Sequence, residues 1–199
     1  MDPRVIRVAN TSYFSTSVYR KVRDVAGVEY QENSANENAR KLNEEEVDVA
    51  LIPVANFAQH GGYVGLDFGV ACEGHSGLLT LFSHGEAKNL KTVYLYTSSN
   101  SSALLLQLLL KRRFGASARL VRTSRELRPN EIREDEGILV RHAWLRSYHQ
   151  SFPHSYDLSG EWFEMTGQPY AFLVWATRPE TLSRSCTKLI LSKTMTIMD

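Results

Sequence analysis

The sequence predicts an α/β fold in two successive groups of strands and helices, with a ligand crevice at the ends of the strands. Apolar runs of strand length alternate with helical segments from residue 5 onward, and this alternation starts again at Leu90. Polar, hydroxyl-rich loops follow several of the strands, which is where α/β sheets bind their ligands.

The first group contains one well-marked helix and a central strand. Ser34 and Glu37 form the pattern of a capping box, so a helix is predicted from there to about residue 46. Pro53 stands where the apolar run 47–55 should end, because proline removes a backbone donor from a strand. Five strands are predicted in this group, at residues 5–9, 25–31, 47–55, 66–72 and 78–83.

The second group begins after the polar segment 86–89, which is the predicted linker. Strands are predicted at residues 93–96, 119–122, 137–140 and 169–176. An apolar helix is predicted to follow the hydroxyl-rich residues 97–102 and to end at the cations 111–113, and a second helix is predicted at residues 158–165. The tract 148–157 is predicted to be turn-like. The last strand returns the chain toward the first group, so the predicted lobes are residues 1–87 with 177–199, and residues 88–176.

Five hydroxyl side chains lie within the six residues 97–102, which open the first of these helices. The backbone N–H groups of a helix start are unpaired and lie at the positive end of its dipole, so the site suits a carboxylate or phosphate. The alternative is that a single serine caps the helix within an ordinary loop. The candidate anion-binding residues are Thr97, Ser98, Ser99, Ser101 and Ser102.

Composition and charge restrict the class of protein. The net charge of the 199 residues is +1, without a basic block, so no nucleic-acid interface is predicted. Neither a secretory signal nor a membrane-spanning stretch is visible, and a cytoplasmic location is expected. Cys72 and Cys186 lack metal-binding spacing and are expected to be free thiols. No metal site is predicted, since the loosely spaced His142, His149 and His154 have no partner carboxylate pattern.

Two further loops are candidates for a ligand site. Residues 10–17 follow the first strand, either as a crevice loop or as a plain turn capped by Thr16 or Ser17. Gly74 and Gly77 flank His75 and Ser76, and allow either a close approach of the backbone to a ligand or a hairpin turn.

Ordered motifs in both halves of the chain carry a family resemblance. They are residues 49–55, residues 97–99 with Ser101 and Ser102, residues 156–158, residues 161–162, residues 166–169, and Phe172 with residues 174–176. Together, from Arg4 to about Pro179, they resemble the chorismate dehydratases of the futalosine route to menaquinone.

The resemblance implies a two-lobed, periplasmic-binding-protein-like (type II) fold with a central ligand crevice, working inside the cell. It implies a lyase whose substrate is chorismate, which loses its ring hydroxyl as water with a ring proton and becomes 3-[(1-carboxyvinyl)oxy]benzoate. No metal or organic cofactor is implied, and a homo-oligomer is left open. Tyr13, Ser76, Arg141 and the helix-start hydroxyls would bind substrate, and Ser15 would take part in proton transfer.

The chain departs from the family pattern at three positions. Ser15 replaces an asparagine that is thought to act in catalysis, and a hydroxyl without a neighbouring base is a poor proton acceptor. Leu78 stands where the family has a functional serine, unless a small gap brings Ser76 there. Arg141 with His142 replaces Gly-Asp, and Arg141 either pairs with a substrate carboxylate or points to solvent.

The family's chains also continue for several dozen residues beyond the return strand, so a partner or a truncated form is expected. The alternative function is therefore a non-catalytic or truncated protein of the same fold that binds a small carboxylate.

Overall fold

The computed structural model describes residues 5–96, 100–125, 127–141 and 148–182. Its strands are β1 (Ile6–Thr11), β2 (Val28–Asn33), β3 (Val49–Pro53), β4 (Val64–Cys72), β5 (Leu79–Ser83), β6 (Thr92–Tyr96), β7 (Arg119–Thr123), β8 (Glu136–Arg141), β9 (His154–Asp157) and β10 (Tyr170–Thr177). Its α-helices are α1 (Ala35–Asn43), α2 (Val54–His60), α3 (Asn100–Arg112), α4 (Leu158–Thr166) and α5 (Pro179–Leu182). Segments Phe14–Asp24, Ala87–Asn89 and Pro129–Glu131 form 3-10 helices.

The chain divides into two compact units. Unit 1 combines Met1–Ala71 with Ala171–Asp199, and unit 2 is Cys72–Tyr170. The sequence placed these boundaries at residues 87/88 and 176/177. They differ because β5 pairs with β8 and β9 of unit 2, whereas β10 pairs with β3 of unit 1.

Unit 1 contains a sheet of strand order β2-β1-β3-β10-β4. Strand β1 lies parallel to β2 and β3, and β10 lies antiparallel to β3 with Leu173 opposite Pro53. The carboxyl ends of β1, β2 and β3 therefore share one edge, the carboxyl edge of unit 1. The polar loop after β1 lies at this edge.

The core of unit 1 is built on aromatic packing against apolar strands. Trp175 and Leu51 are buried, and the Tyr19 ring meets the Trp175 ring edge-on with centroids 5.5 Å apart. The Tyr19 hydroxyl donates to the Gly69 carbonyl at 2.7 Å. A Cβ at position 69 would overlap the Leu173 carbonyl oxygen, so the pairing of β4 with β10 requires glycine there.

Unit 2 contains a sheet of strand order β7-β6-β8-β5-β9. Strand β6 is parallel to β7 and β8, and β5 is antiparallel to β8 and β9. The ends of β6, β7, β8 and β9 and the start of β5 consequently meet at one edge. This is the carboxyl edge of unit 2.

The predicted strands and helices are present with small shifts in their ends, and three local predictions differ from the structure. Residues 54 and 55, predicted as the end of a strand, begin α2 because Pro53 ends β3. Residues 154–157 form the edge strand β9 and not a turn, because they pair with β5 across the sheet. The predicted linker 86–89 contains a 3-10 helix, Ala87–Asn89, within unit 2. The predicted cap is confirmed, since the Ser34 hydroxyl accepts a hydrogen bond from the Glu37 amide at 3.2 Å.

Candidate functional site

The carboxyl edge of unit 2 brings together side chains from every strand of its sheet. Tyr96 ends β6 level with Thr123 of β7. Arg141 ends β8 opposite Leu79, the first residue of β5. Asp157 ends β9 one position further along β5. Ligand sites of α/β sheets lie at such edges because the loops and helix starts that follow parallel strands collect there.

Helix α3 begins at this edge, directly after the segment that follows β6. Asn100 is its first residue, and the Asn100 side-chain oxygen accepts from the Arg122 guanidinium at 2.6 Å. Ser102 is buried. The Ser101 hydroxyl is also buried, and no hydrogen-bond partner for it is found in the described part of the chain.

These features give the start of α3 the character of an anion site. The unpaired N–H groups and the positive dipole end of a helix of 13 residues favour negative charge. A buried hydroxyl without a partner is costly, and an anionic oxygen from a ligand would provide the partner it lacks. Three of the five predicted hydroxyl residues, Thr97, Ser98 and Ser99, lie outside the described residues, as do His142 and Cys186.

The loop that carries Ser76 enters the same edge from the other side of β8. The Ser76 hydroxyl accepts a hydrogen bond from the Leu78 amide at 3.2 Å. The amides of Ser76 and Gly77 are bound by the Asp157 carboxylate, at 3.3 and 2.8 Å. Gly74 and Gly77 adopt positive φ angles of 79° and 65°, so the loop is a tight turn and these two amides face Asp157.

Arg141 lies between these two features. Its side chain is exposed, and its guanidinium has the fork geometry that matches a carboxylate. Strand β8 separates β6 from β5, so the end of β6 and the start of β5 are two strand spacings, about 10 Å, apart.

Tyr13 and Ser15 lie at the carboxyl edge of unit 1. Both follow β1 and both are exposed, Tyr13 directly before the 3-10 helix and Ser15 in its first turn. The structure therefore groups the predicted site residues in two sets. Tyr13 and Ser15 belong to unit 1, and Ser76, Ser101, Ser102 and Arg141 belong to unit 2.

A buried polar cluster holds the loop that carries Tyr13 and Ser15. The Thr16 side chain is fully buried, and its hydroxyl lies 2.9 Å from the Thr11 hydroxyl and 2.8 Å from the Tyr13 carbonyl. The Thr16 amide also donates to the Tyr13 carbonyl, at 3.1 Å. From β1, the Asn10 amide group donates to the Thr16 carbonyl at 3.2 Å. These hydrogen bonds fix the backbone of the loop from its buried side, and the side chains of Tyr13 and Ser15 stay exposed to solvent.

This cluster continues to the surface through a tyrosine. The Tyr30 hydroxyl accepts from the Asn10 amide group at 2.9 Å and donates to the Glu32 carboxylate at 2.8 Å. Burial raises the pKa of Tyr30 to about 12, so the phenol stays protonated at neutral pH. The hydrogen bond from Tyr30, with a smaller effect of Arg20, lowers the pKa of Glu32. The network therefore ends in an ionised carboxylate paired with a cation.

Sequence reasoning missed three of these residues as parts of the site. The sequence indicated Asn10 only as part of a polar loop and Thr16 only as a possible cap of a plain turn, and their burial depends on packing that no local pattern reveals. Asp157 could have been found as the cap of the predicted helix 158–165, because aspartate before an apolar run is a strong cap signal. Its bonds to Ser76 and Gly77 join residues about eighty positions apart and have no sequence signature.

The described residues give little indication of a metal or membrane-spanning element. In the described ranges, no group of three or more His, Cys, Asp or Glu side chains is arranged to hold a metal ion. No helix among the described residues is long and apolar enough to cross a bilayer. Among the described residues, Cys72 is a free thiol.

The comparison with known families decides where the chain belongs. The model of a family described as menaquinone biosynthesis matches residues 6–195. The chain belongs to this menaquinone-biosynthesis family. The resemblance to chorismate dehydratases is also confirmed, because 160 residues align at 33% identity with the chorismate dehydratase of Thermus thermophilus. The alignment covers 71% of this chain but only 58% of that enzyme, so the family member described here spans less than two thirds of its relative's length.

Solved structures of other proteins establish the fold of this family member. A ligand-binding component of an ABC-type import system from Staphylococcus aureus, with zinc bound, has a TM-score of 0.53 at 15% identity. That comparison covers 98% of this chain and 72% of the other. A Candida albicans protein described as having the generic periplasmic binding protein fold has a TM-score of 0.57 at 14% identity, with 96% and 71% of the two chains covered. The predicted periplasmic-binding-protein-like fold is therefore confirmed.

Proposed function

We propose that this family member binds chorismate and removes water from it, giving 3-[(1-carboxyvinyl)oxy]benzoate as a cytoplasmic lyase of the futalosine route to menaquinone. The observation that carries the proposal is the carboxyl edge of unit 2. Within about two strand spacings this edge has a helix start whose buried Ser101 hydroxyl has no hydrogen-bond partner among the described residues, the exposed Arg141, and the loop that carries the Ser76 hydroxyl. Chorismate carries one carboxylate on its ring and a second on its carboxyvinyl ether, and the helix start and the arginine complement these negative charges.

The proposed roles follow from the chemistry of the elimination. The C–H bond next to the departing hydroxyl breaks, its electron pair forms the aromatic ring, and the C–O bond breaks so that the proton and hydroxide leave as water. The protein must hold the carboxylates, accept the proton and assist the hydroxyl, all in a place that excludes bulk water. We assign carboxylate binding to Ser101, Ser102 and Arg141, together with Ser76 and the hydroxyls of Thr97, Ser98 and Ser99.

Ser15 is assigned to proton transfer, and the exposed phenol of Tyr13 is assigned to contact with the substrate. A serine hydroxyl can donate to a departing oxygen and accept from a donor, but it is a weak base by itself. A neighbouring group of the substrate or of the protein must then receive the ring proton. The assignment therefore gives Ser15 the role of a relay and not that of a final acceptor.

A second candidate function follows from the same residue. If the hydroxyl of Ser15 does not replace the family's asparagine in the chemistry, the chain binds chorismate or a related carboxylate without turning it over. This binding protein would retain the anion site of unit 2 and lose only the step assigned to unit 1.

Incubation of the purified protein with chorismate separates the two functions. Loss of chorismate and formation of the carboxyvinyloxy-benzoate are followed by liquid chromatography and mass spectrometry, and binding is measured by calorimetry. Product above the uncatalysed rate, reduced by Arg141→Ala but not by the exposed-site control Gln107→Ala, supports the lyase. Saturable binding without product supports the binding protein. If the protein neither forms product nor binds chorismate, both functions are refuted.

A further inference from the structure

Asp157 makes more contacts than a helix cap requires. As the N-cap of α4, its Oδ1 accepts from the Gly160 amide at 2.9 Å. The same oxygen accepts from the Ser159 hydroxyl at 2.6 Å and from the Ser76 amide at 3.3 Å. Its second oxygen, Oδ2, accepts from the Gly77 amide at 2.8 Å. Capping alone uses one side-chain oxygen, so the remaining bonds serve the loop before β5.

The first turn of α4 is shaped to receive that loop. The Ser159 hydroxyl accepts from the Ser76 amide at 3.0 Å, which adds a second anchor to the same backbone group. The His75 ring lies directly against Gly160, and a Cβ at position 160 would overlap it. The Asp157 carboxylate and the Ser159 hydroxyl therefore bind the backbone of residues 76–77, and the absence of a side chain at Gly160 leaves room for the His75 ring.

We infer that Asp157 is a positioning residue that holds Ser76 at the carboxyl edge of unit 2, an inference that rests on the proposed function. The carboxylate binds the N–H groups of the two peptide bonds that flank the Ser76 α-carbon. Since β5 begins three residues later, these bonds set where the Ser76 hydroxyl stands relative to Arg141, whose strand position is opposite Leu79. A loop held by charge-assisted bonds keeps this geometry before substrate arrives, which reduces the ordering cost of binding.

The substitution Asp157→Ser removes the hydrogen bonds of Asp157 to the loop before β5, which we call the clamp, but retains a cap for α4. Serine is as good an N-cap as aspartate and can still accept from the Gly160 amide, but its single short side chain cannot also reach the amides of Ser76 and Gly77. Asp157→Asn keeps the size and one acceptor oxygen, and should give an intermediate result. The matched control is Ser34→Ala, which removes the side-chain cap of α1 in unit 1 and leaves the loop before β5 untouched.

Two measurements test the inference in the full chain. Amide hydrogen exchange at Ser76 and Gly77 should become at least about tenfold faster in Asp157→Ser, because hydrogen bonds to charged groups are among the stronger ones. The KM for chorismate should rise about tenfold while kcat changes by less than about twofold, as expected when binding in ground and transition states is lost equally. Ser34→Ala should lower the melting temperature without changing either quantity.

The outcomes separate this inference from the proposed function. Unchanged exchange at Ser76 and Gly77 in Asp157→Ser would overturn the clamp. Faster exchange with an unchanged KM would overturn its role in positioning Ser76 for substrate. If the unaltered protein neither binds nor converts chorismate, the proposed function fails, and the exchange rates alone decide whether Asp157 holds the loop.

Discussion

Replacing Ser101 with alanine should make the protein more stable and its ligand binding weaker. The Ser101 hydroxyl is buried without a hydrogen-bond partner among the described residues, and such a group typically costs about 1 kcal/mol or more. A gain of about 1 kcal/mol corresponds to a rise of about 2–4 °C in melting temperature for a chain of this size. If the hydroxyl binds a substrate carboxylate, its loss should raise the Kd for chorismate about tenfold.

Thermal unfolding followed by circular dichroism and calorimetric titration with chorismate measure the two effects on the same sample. Gln107→Ala is the control, because Gln107 is an exposed residue of the same helix away from its first turn. It should change stability by less than about 0.5 kcal/mol and leave the Kd unchanged. A Ser101→Ala protein that melts lower and binds chorismate as before would refute the reasoning. The Ser101 hydroxyl of the unaltered protein would then have a structural partner and would bind no ligand.

The remaining predictions concern both units. Ser15→Asn should increase chorismate turnover if Ser15 lies in the catalytic site, and leave it unchanged if the protein only binds. Asp48→Ala should destabilise the fold by about 2–3 kcal/mol in chemical denaturation, because Asp48 is 5% exposed and binds the Arg7 guanidinium at 3.1 Å, although Arg7 is 38% exposed. The hydrogen bond from Arg125 lowers the pKa of Glu131 to about 2, so its stabilising contribution should persist above pH 4.5 and be lost as the pH falls toward 2.

Each of these predictions has a matched control. Ser17→Asn makes the same change two residues from Ser15 and should not increase turnover. Asp24→Ala removes an exposed carboxylate of unit 1 and should change stability by less than about 0.5 kcal/mol, so an equal loss from both variants would contradict the role of Asp48. Arg125→Gln should return the pKa of Glu131 toward its ordinary value, as followed by NMR titration, and an unchanged titration would contradict the pairing.

Local patterns predicted the elements whose cause is local. The apolar run that Pro53 ends became β3, and the hydroxyl of Ser34 caps α1 as its spacing indicated. The hydroxyl-rich start of α3 is present, with Ser102 and the Ser101 hydroxyl buried, and anion binding there stays a prediction. These predictions depend on neighbours within a few residues, for which sequence rules are reliable.

The predictions that differ from the structure depend on distant pairing. Strand β9 is four residues long and lies at the edge of its sheet, so only its bonds to β5 distinguish it from a turn. The unit boundaries differ for the same reason, since β5 could not be assigned to a unit before its partners were known. The contacts of Asp157 with Gly77 join two segments that no periodicity connects.

The loops that carry Ser15 and Ser76 are both held by side chains that bind their backbone. This shared feature explains why their exposed residues can differ from the family pattern. In unit 1, buried Thr16 and Asn10 bind the backbone around the loop that carries Ser15. In unit 2, Asp157 binds the N–H groups of the two peptide bonds that flank the Ser76 α-carbon. Because the loop shape is set by contacts to backbone groups, an exposed side chain can change without altering it. Ser15→Asn should therefore leave the fold intact and change only the chemistry, which makes it a direct test of whether this edge is catalytic.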